Sequence, residues 1–483
     1  MILRAIVSAG LASLPAILAP AVIAPAVGAQ EPPALLATSQ YLFVVRGNWV
    51  YQYDVDTLVL RGKAAIPAGR TPAARSGRRA GAVQLTDRLP KQVIRIDDVT
   101  NKKPKDKPKA KMIGTEISVG GGAGGRFGGR GGKIKGPSGK VSGRAIQNGL
   151  KWLASHQDES GRWDADGFMK HDKGKKSTGA GNPVHDVGAT GLAMLAMLGD
   201  GSTLRSGPYK DNLKRATKWL QEQQHKNGRF GTNASHDFIY DHAIATYAMS
   251  EAYGLSAYKM LKKSAQGGIN YLESHRNPYS VWRYQPRDND NDISVTSWCL
   301  MALASGQFFK LQVNPNAIKL GLTYLDQVST PDGRHGYTKQ GEGSSRMPGK
   351  HATQFPIEKG EALTAAGLFC RFFLKQDPKD KPVMKAAADR IAAKPPQWSK
   401  DGTIDYYYWY YGTYAMFQMG GQHWRTWNKN LNHALTKHQV QTGSAAGSWD
   451  PSGVWGKIGG RVCSTALAVL SLEASYRYTR LVR

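Results

Sequence analysis

The sequence predicts a mainly α fold, an (α/α)6 toroid of six helical hairpins, preceded by a small β element and a disordered basic linker. Three observations lead to this prediction. A helical pattern recurs six times after residue 144, its copies lie about 45 to 65 residues apart, and small residues dominate the second helix of each copy. Repeats of this length are typical of arrays of helical hairpins that share one core.

Residues 1–29 have the order of a secretory signal peptide. An early Arg4 precedes a long apolar stretch that ends in small residues before Gln30. A membrane anchor is the alternative, but three prolines interrupt the stretch, so we expect cleavage and export to the periplasm, the cell surface or the medium. No later run reaches about 18 apolar residues, so no transmembrane span is expected after signal removal.

Residues 41–64 alternate in the manner of short strands that turn at Gly47-Asn48, which predicts the small β element. Residues 65–143 are rich in Pro/Lys and then in Gly/Arg, and such a composition cannot bury a core. Between residues 61 and 140 there are 20 Lys and Arg against 5 Asp and Glu, out of a net charge of +29 for the chain. We expect a tether that contacts anionic cell-surface polymer, and, behind a signal peptide, no nucleic acid.

The chain has only three cysteines, Cys299, Cys370 and Cys463. An exported protein of 483 residues with so few thiols does not depend on a disulfide framework, and its stability has to come from a large core.

Residues 144–483 contain the repeat. Each copy ends a first helix, turns at a glycine with an aromatic residue close behind, and continues into a second helix rich in Ala, Gly, Ser and Thr. Such helices suit the crowded inside of a closed barrel, and an open solenoid is the alternative. The first-helix segments are 149–163, 216–230, 268–282, 321–337, the weaker 387–402, and 434–449.

Two of these copies carry a recognisable motif. Gln157, Gly161 and Trp163 follow Trp152-Leu153, and Gln224, Gly228 and Phe230 follow Trp219-Leu220. This spacing resembles the QW repeat of the terpenoid cyclase and protein prenyltransferase superfamily. Over residues 144–483 the chain looks like the secreted bacterial prenyltransferase and squalene-oxidase repeat proteins, which are similar to squalene-hopene cyclase. The resemblance implies an α/α toroid in which the motif Trp stacks and the motif Gln caps the neighbouring helix.

A site in such a barrel is expected where the second helices begin, because unpaired N–H groups and a concave centre meet there. Acidic residues at helix starts are also favoured as caps without any other role. The candidate ligand-binding residues at these starts are His185, Asp186, Asp241, His242, Glu361 and Asp405.

The stretch RDNDND, residues 287–292, offers the candidate catalytic acids Asp290 and Asp292. A calcium loop of the EF type is excluded, because Ile293 and Cys299 stand where that loop needs Gly and Glu. The cyclases that resemble this chain protonate their substrate with the middle Asp of D-x-D-D. Here the stretch keeps that residue as Asp290 and has Asn291 in place of the last one, so a proton donor, a polar group of a binding site and a plain helix cap all remain open.

Cofactors are not indicated. The prenyltransferases of the superfamily hold zinc with a D-x-C motif, which this chain lacks, and D-D-x-x-D is also absent. Asp292 and Cys299 lie two helical turns apart, so zinc with His242 or His185 is the remaining alternative to no metal at all.

The stretch DYYYWYYGTY, residues 405–414, adds the candidate ligand-binding residues Tyr406, Tyr408, Trp409 and Tyr411. Aromatic rings stabilise cations and stack on sugars. The sequence therefore predicts an apolar or planar ligand, such as a lipid or isoprenoid, in an aromatic cavity. The alternatives are a glycan-processing enzyme with paired carboxylates, drawn from Asp186, Asp241, Asp292, Glu361 and Asp405, and a non-catalytic cell-surface scaffold.

Overall fold

The computed structural model describes residues 139–347 and 349–480 in full, the backbone of residues 137–138, and the backbone of four strands between residues 34 and 65. The predicted signal peptide and most of the predicted linker lie outside these residues. The strands and the helices belong to two separate compact units.

The four strands form one antiparallel sheet in the order β1-β2-β3-β4. They are β1 (Ala34–Ala37), β2 (Tyr41–Arg46), β3 (Trp49–Asp54) and β4 (Leu60–Ala65). Strands β2 and β3 pair from Tyr41 with Asp54 to Arg46 with Trp49, so residues 47–48 connect them. The sheet's status as a separate domain remains a prediction.

Thirteen α-helices follow in the described residues, and twelve of them pair into six hairpins, each with an outer and an inner helix. The outer helices are α1 (Pro137–Ser155), α3 (Lys210–Glu222), α5 (Lys262–His275), α7 (Pro315–Gln327), α10 (Pro382–Ala392) and α12 (Gly421–His438). The inner helices are α2 (Asp186–Gly199), α4 (Phe238–Ser256), α6 (Ile293–Phe308), α9 (Ala362–Phe373), α11 (Tyr406–Met419) and α13 (Gly456–Arg477), and the short α8 (Lys350–Gln354) lies between α7 and α9.

The hairpins close into a ring. Each inner helix contacts the next one, from α2 through α4, α6, α9 and α11 to α13, and α13 then contacts α2. Among the outer helices, α12 likewise contacts α1. The predicted α/α toroid is therefore confirmed, and the open solenoid is excluded for this part of the chain.

The first helix corrects one predicted boundary. Helix α1 begins at Pro137, so residues 137–143 belong to it and not to the predicted linker, which was expected to reach residue 143. Proline is favoured at the start of a helix, where its missing N–H has no partner to lose. The glycine-rich composition before residue 137 concealed this start.

The motif glutamine links successive outer helices. Nε2 of Gln157 donates to Gly161 O at 2.7 Å, in its own turn, and to Asn212 O at 3.0 Å, in the first turn of α3. Gln224 repeats both bonds, with Gly228 O and, at the start of α5, Ser264 O at 2.9 Å. The glutamine was expected to cap the neighbouring helix. Its amide instead donates to a backbone carbonyl in the first turn of the next outer helix.

The motif glycine permits this close approach. Gly161 has a φ of +103°, and a Cβ there would lie 2.3 Å from Arg215 O of α3. Gly228 has a φ of +94°, and its Cβ would lie 2.1 Å from Gly267 O of α5. Since other residues rarely adopt such a φ and would also clash, glycine is required at both turns.

The aromatic residue after the glycine joins the outer helix to the inner helix. Nε1 of Trp163 donates to Leu153 O at 2.7 Å, and the backbone N–H of Trp163 donates to Thr190 Oγ1 of α2 at 2.9 Å. Trp449 makes the same two bonds, to Leu435 O and to Thr465 Oγ1. One hydrogen bond therefore positions the ring that was expected to stack, and a second one positions the backbone of the same residue.

The last glutamine closes the ring, which leads to a stability test. Nε2 of Gln439 donates to Ala145 O of α1 and to Gly447 O, both at 2.8 Å. We expect Gln439→Leu to lower the free energy of unfolding by about 1–3 kcal/mol, because two buried carbonyls lose the hydrogen bond from this amide. Urea unfolding measures this, with the exposed Gln422→Leu as the matched control. Equal stabilities of the two variants would show that closure does not depend on this amide.

Candidate functional site

A central cavity of about 230 Å³ lies where the six inner helices begin. Every inner helix lines it, and residues 344–346, from the connection before α8, cover part of it. Its position is the one that the sequence predicted. A non-catalytic scaffold was expected to have a centre filled by side chains. The described residues instead leave a cavity there.

The cavity becomes less polar with depth. Its floor includes Leu192, Ile244, Trp298 and Leu467. Each of them lies four residues, about one helical turn, beyond another lining residue of the same helix, for example Ser294 before Trp298. Because the inner helices start at the opening, polar groups gather near the opening and apolar side chains form the floor.

The polar centre of the opening is His185, at the end of the turn before α2. Its Nδ1–H donates to Oδ2 of Asp241 on α4 at 3.0 Å, and its Nε2 lies 3.8 Å from Oδ2 of Asp237. Burial alone would lower the pKa of His185, but the bond to Asp241 and the charges of Asp237 and Asp186 outweigh it and raise the pKa. The result is an imidazole held between two carboxylates beside the cavity.

The aromatic wall lies on the side of α4, α6 and α11. The hydroxyl of Tyr240 donates to Ser294 Oγ at 2.8 Å, and Ser294 Oγ also bonds the hydroxyl of Tyr407 at 2.9 Å. The hydroxyls of Tyr284 and Tyr337 bond each other at 2.8 Å. These hydroxyls satisfy one another, so the wall presents mainly ring faces and edges to a ligand.

Of the predicted ligand-binding residues, His185, Asp241 and Tyr406 line the cavity. His242 does not. Its Nδ1 accepts the backbone N–H of Phe230 at 3.0 Å, which is the position that threonine takes in other hairpins, and burial lowers its pKa to about 3. A neutral imidazole that serves as a core acceptor accounts for this histidine.

Asp186, Glu361 and Asp405 lie outside the cavity lining because each is held by other partners. Asp186 accepts from Ala165 N–H at 2.8 Å and pairs with Arg162 at 2.7 Å. Glu361 pairs with Arg334 at 3.0 Å and with Lys394 at 3.1 Å. Asp405 is the N-cap of α11, where it accepts from Tyr408 N–H at 3.0 Å.

The two candidate acids of the RDNDND stretch have different environments, and neither lines the cavity. Asp290 is 69% exposed and lies 3.6 Å from Arg283. Asp292 is fully buried and caps α6, accepting from Val295 N–H at 2.8 Å. The stretch therefore forms a turn and a helix cap, which was one of the predicted alternatives.

Helix rotation separates the aromatic cluster. Tyr406 and its neighbour Tyr407 line the cavity, whereas Tyr408 and Trp409 face the outer layer, where the hydroxyl of Tyr408 donates to Lys394 O at 2.9 Å. Tyr411 lies one turn further along and packs on the lining ring of Trp298 at 5.3 Å. Because successive residues turn by about 100°, one helix cannot direct all of these rings inward.

The predicted zinc alternative finds no support among the residues described. Only Asp164, Asp166 and Asp186 bring three ligand atoms within 4.8 Å of one another. Arg162 and Lys170 already neutralise this cluster, with Arg162 bonding Asp164 Oδ2 at 2.8 Å. Asp292, Cys299 and the histidines do not form such a group there.

Sequence reasoning missed several lining residues, among them Asp237, Tyr240, Trp298, Tyr284 and Tyr337. Asp237 was identifiable as the residue just before α4. Trp298 is one turn inside α6, and Tyr284 and Tyr337 belong to connections, for which helix-start reasoning gives no signal. In addition, no helix in the described part of the chain combines the length and apolarity needed to cross a membrane.

The buried Asp292 gives a pH test. Burial raises its pKa to about 7, against the opposing bond from Val295 N–H and the charge of Arg283. The native state thus holds a proton that the unfolded chain releases, and this stabilisation is complete below the unfolded pKa and lost as pH rises through about 7. We expect wild-type protein to lose about 2 kcal/mol of unfolding free energy relative to Asp292→Asn between about pH 5 and pH 7.

Asparagine is also a good N-cap, so Asp292→Asn isolates the charge. Urea titrations at the two pH values measure the difference, and Asp290→Asn, a change at an exposed carboxylate of the same turn, is the matched control. Parallel pH profiles for wild type and Asp292→Asn would contradict the assignment.

Comparison with known proteins yields similarity in structure alone. No protein-family model and no curated protein matches the chain. The type II terpene cyclase MstE from Scytonema is similar over 69% of this chain and 97% of its own, with 15% identity and a TM-score of 0.44. The α-1,6-mannanase GH76A from Salegentibacter sp. HEL1_6 is similar over 69% and 98%, with 11% identity and a TM-score of 0.47.

A heparin-specific unsaturated glucuronyl hydrolase is similar over 71% of this chain and 100% of its own, with 14% identity and a TM-score of 0.49. These values concern the fold, and the assignment of a toroid rests on the helix contacts described above. The chain is an α/α toroid, similar in fold to a terpene cyclase and to carbohydrate-active toroids.

Proposed function

We propose that this protein is exported and that its toroid binds an apolar or planar small molecule in the central cavity. The observation that carries the proposal is the concave space of about 230 Å³ above a floor of Leu192, Ile244, Trp298 and Leu467. Binding sites for small molecules are concave and mostly apolar, with a few placed polar groups, and this cavity has that composition.

The size of the cavity limits the ligand. Pockets for drug-sized molecules measure about 300–1,000 Å³, so this one suits a ring system or a short isoprenoid better than a long chain. The rings of Tyr240, Tyr407 and Trp298 offer faces and edges for stacking. We propose ligand binding and not catalysis, because the described carboxylates at most helix starts are engaged as caps or in ion pairs.

A glycan is the second candidate, and one observation favours it. Asp237 and Asp241 both line the cavity, on either side of His185. The two lie one helical turn apart at the start of α4, and glycoside hydrolysis uses a pair of carboxylates. Of the five carboxylates predicted for such a role only Asp241 lines the cavity, because Asp186, Asp292, Glu361 and Asp405 are absent from the lining.

Native mass spectrometry of the full-length chain, purified from its secretion medium, separates the candidates. A retained lipid or isoprenoid supports the proposal. A retained glycan supports the second candidate instead. If the chain carries only anionic polymer and salt removes it, the predicted basic linker of residues 65–143 is the binding element. The cavity then has no ligand, and the proposal fails.

Filling the cavity tests the proposal directly. Leu467 is half-buried and lines the cavity. We expect Leu467→Phe to weaken the binding of naphthalene by about tenfold or more, because the added ring atoms occupy the space above the floor. Equilibrium dialysis with naphthalene measures the affinity.

The matched control is Leu374→Phe, the same change at a half-buried leucine outside the cavity lining. It should leave the affinity unchanged within about twofold. If naphthalene binds both variants as tightly as wild type, it binds elsewhere and the cavity is not its site. If naphthalene does not bind wild-type protein, the proposal of an apolar ligand fails.

A further inference from the structure

One ring nitrogen at the opening of the cavity lacks a hydrogen-bond partner among the described residues. Nδ1 of His185 is engaged by Asp241 at 3.0 Å, which fixes the orientation of the ring. Nε2 of His185 makes no hydrogen bond in this part of the chain, although the residue is only 8% exposed. His185 lines the cavity, so a ligand there can supply the hydrogen bond that this nitrogen lacks.

Asp237 supplies a second polar atom next to Nε2 of His185. It is the residue before α4, yet its side chain makes no cap hydrogen bond to that helix. Its Oδ2 lies 3.8 Å from Nε2 of His185, which is too far for a direct hydrogen bond. One oxygen atom can approach both atoms to about 2.8 Å, and a hydroxyl there would accept from one and donate to the other.

Several other polar groups of the cavity wall are already engaged. The hydroxyls of Tyr240, Ser294 and Tyr407 form one chain, and those of Tyr284 and Tyr337 form a pair. Arg346, which also lines the cavity, donates to Phe355 O at 3.0 Å and to Ser345 O at 2.9 Å. Besides the lining hydroxyls of Ser344, Ser345 and Ser464, the histidine and Asp237 offer the two closely spaced polar atoms that can select a polar atom of the ligand.

We propose that the ligand is an amphiphile with a single hydroxyl, a phenol or an alcohol, whose oxygen bridges Nε2 of His185 and Oδ2 of Asp237 while its apolar body rests on the floor. This inference rests on the proposed function and adds the class and the orientation of the ligand. Asp241 is the positioning residue, since it acts through the imidazole.

The bridge requires the charged form of the ring. The charged imidazole donates from Nε2–H to the hydroxyl oxygen, and the hydroxyl donates its own hydrogen bond to Asp237. A neutral ring with its proton on Nδ1 makes Nε2 a second acceptor, and one hydroxyl proton cannot serve both Nε2 and Asp237. No bond to carbon is formed or broken, and the complex needs no further reactant.

The matched probes are 1-naphthol and naphthalene, which share the planar body and differ by one hydroxyl. We define the preference as the ratio of the two affinities, measured by equilibrium dialysis on the full chain. We expect His185→Phe to reduce this preference by about tenfold, because a hydrogen bond to a charged or paired group contributes about that factor, while naphthalene still binds.

Three variants complete the design. Asp237→Asn, at a side chain about one-third exposed, keeps an acceptor and should reduce the preference less than His185→Phe. Asp241→Asn should reduce the preference more than it reduces the affinity for naphthalene, since the imidazole loses its charged partner. His433→Phe, on the exposed side of α12, controls for the loss of a histidine.

The outcomes are distinct. An unchanged preference in His185→Phe, with naphthalene bound normally, overturns the hydroxyl assignment and leaves the proposed function standing. If neither probe binds wild-type protein, the proposed function fails, and this inference fails with it. Equal loss of both probes in His185→Phe, with an intact near-ultraviolet circular dichroism spectrum, assigns the histidine to the cavity wall and also overturns the bridge.

Discussion

The donation from the amide of Gln439 to Ala145 O is the interaction on which the rest of the structure depends, because it joins the last outer helix to the first. The same bond from Gln157 and Gln224 sets the step between earlier hairpins. A chain of hairpins that did not meet would remain a solenoid with a concave groove. Closure gives the six inner helices a common centre, and only then do their starts surround one cavity.

Closure also decides which acidic groups are available there. Six helix starts bring unpaired N–H groups and positive dipole ends together, which favours a carboxylate at each of them. Asp292 and Asp405 satisfy this need as N-caps, and their carboxylates are therefore turned into the protein. Helix α4 departs from the pattern, since Asp237 occupies the N-cap position without capping. Asp237 and Asp241 are thereby left to face His185, and this start carries the polar end of the cavity.

The repeat pattern was sufficient to predict the toroid, because each glycine and glutamine of the motif acts within its own turn and on the next outer helix. Gly161 and Gln157 illustrate this, as both contacts follow from residues four positions apart. The cavity was harder to predict. Successive residues of α11 are rotated by about 100°, so Tyr406 lines the cavity and Tyr408 does not. Which of these residues faces the cavity depends on how the helix is oriented about its own axis, and packing sets that orientation. Tyr284 and Tyr337 come from connections whose path is set by packing, and His242 is distinguished from His185 only by the core acceptor role that it takes over from threonine.

The far end of the ring explains why the cavity has a floor. At the carboxyl ends of α4 and α13, Arg477 pairs with Glu251 at 2.6 Å and also donates to Leu195 O, while the hydroxyl of Tyr478 donates to Glu251 at 2.7 Å. A buried ion pair is costly to desolvate, but a cation near helix carboxyl ends is favoured, and here every partner is supplied by a different part of the ring. Tyr411 and Tyr414 fill the space between this ion pair and Trp298. With that end closed by charged and aromatic side chains, the cavity opens on the side of His185, so the proposed hydroxyl site lies at the opening.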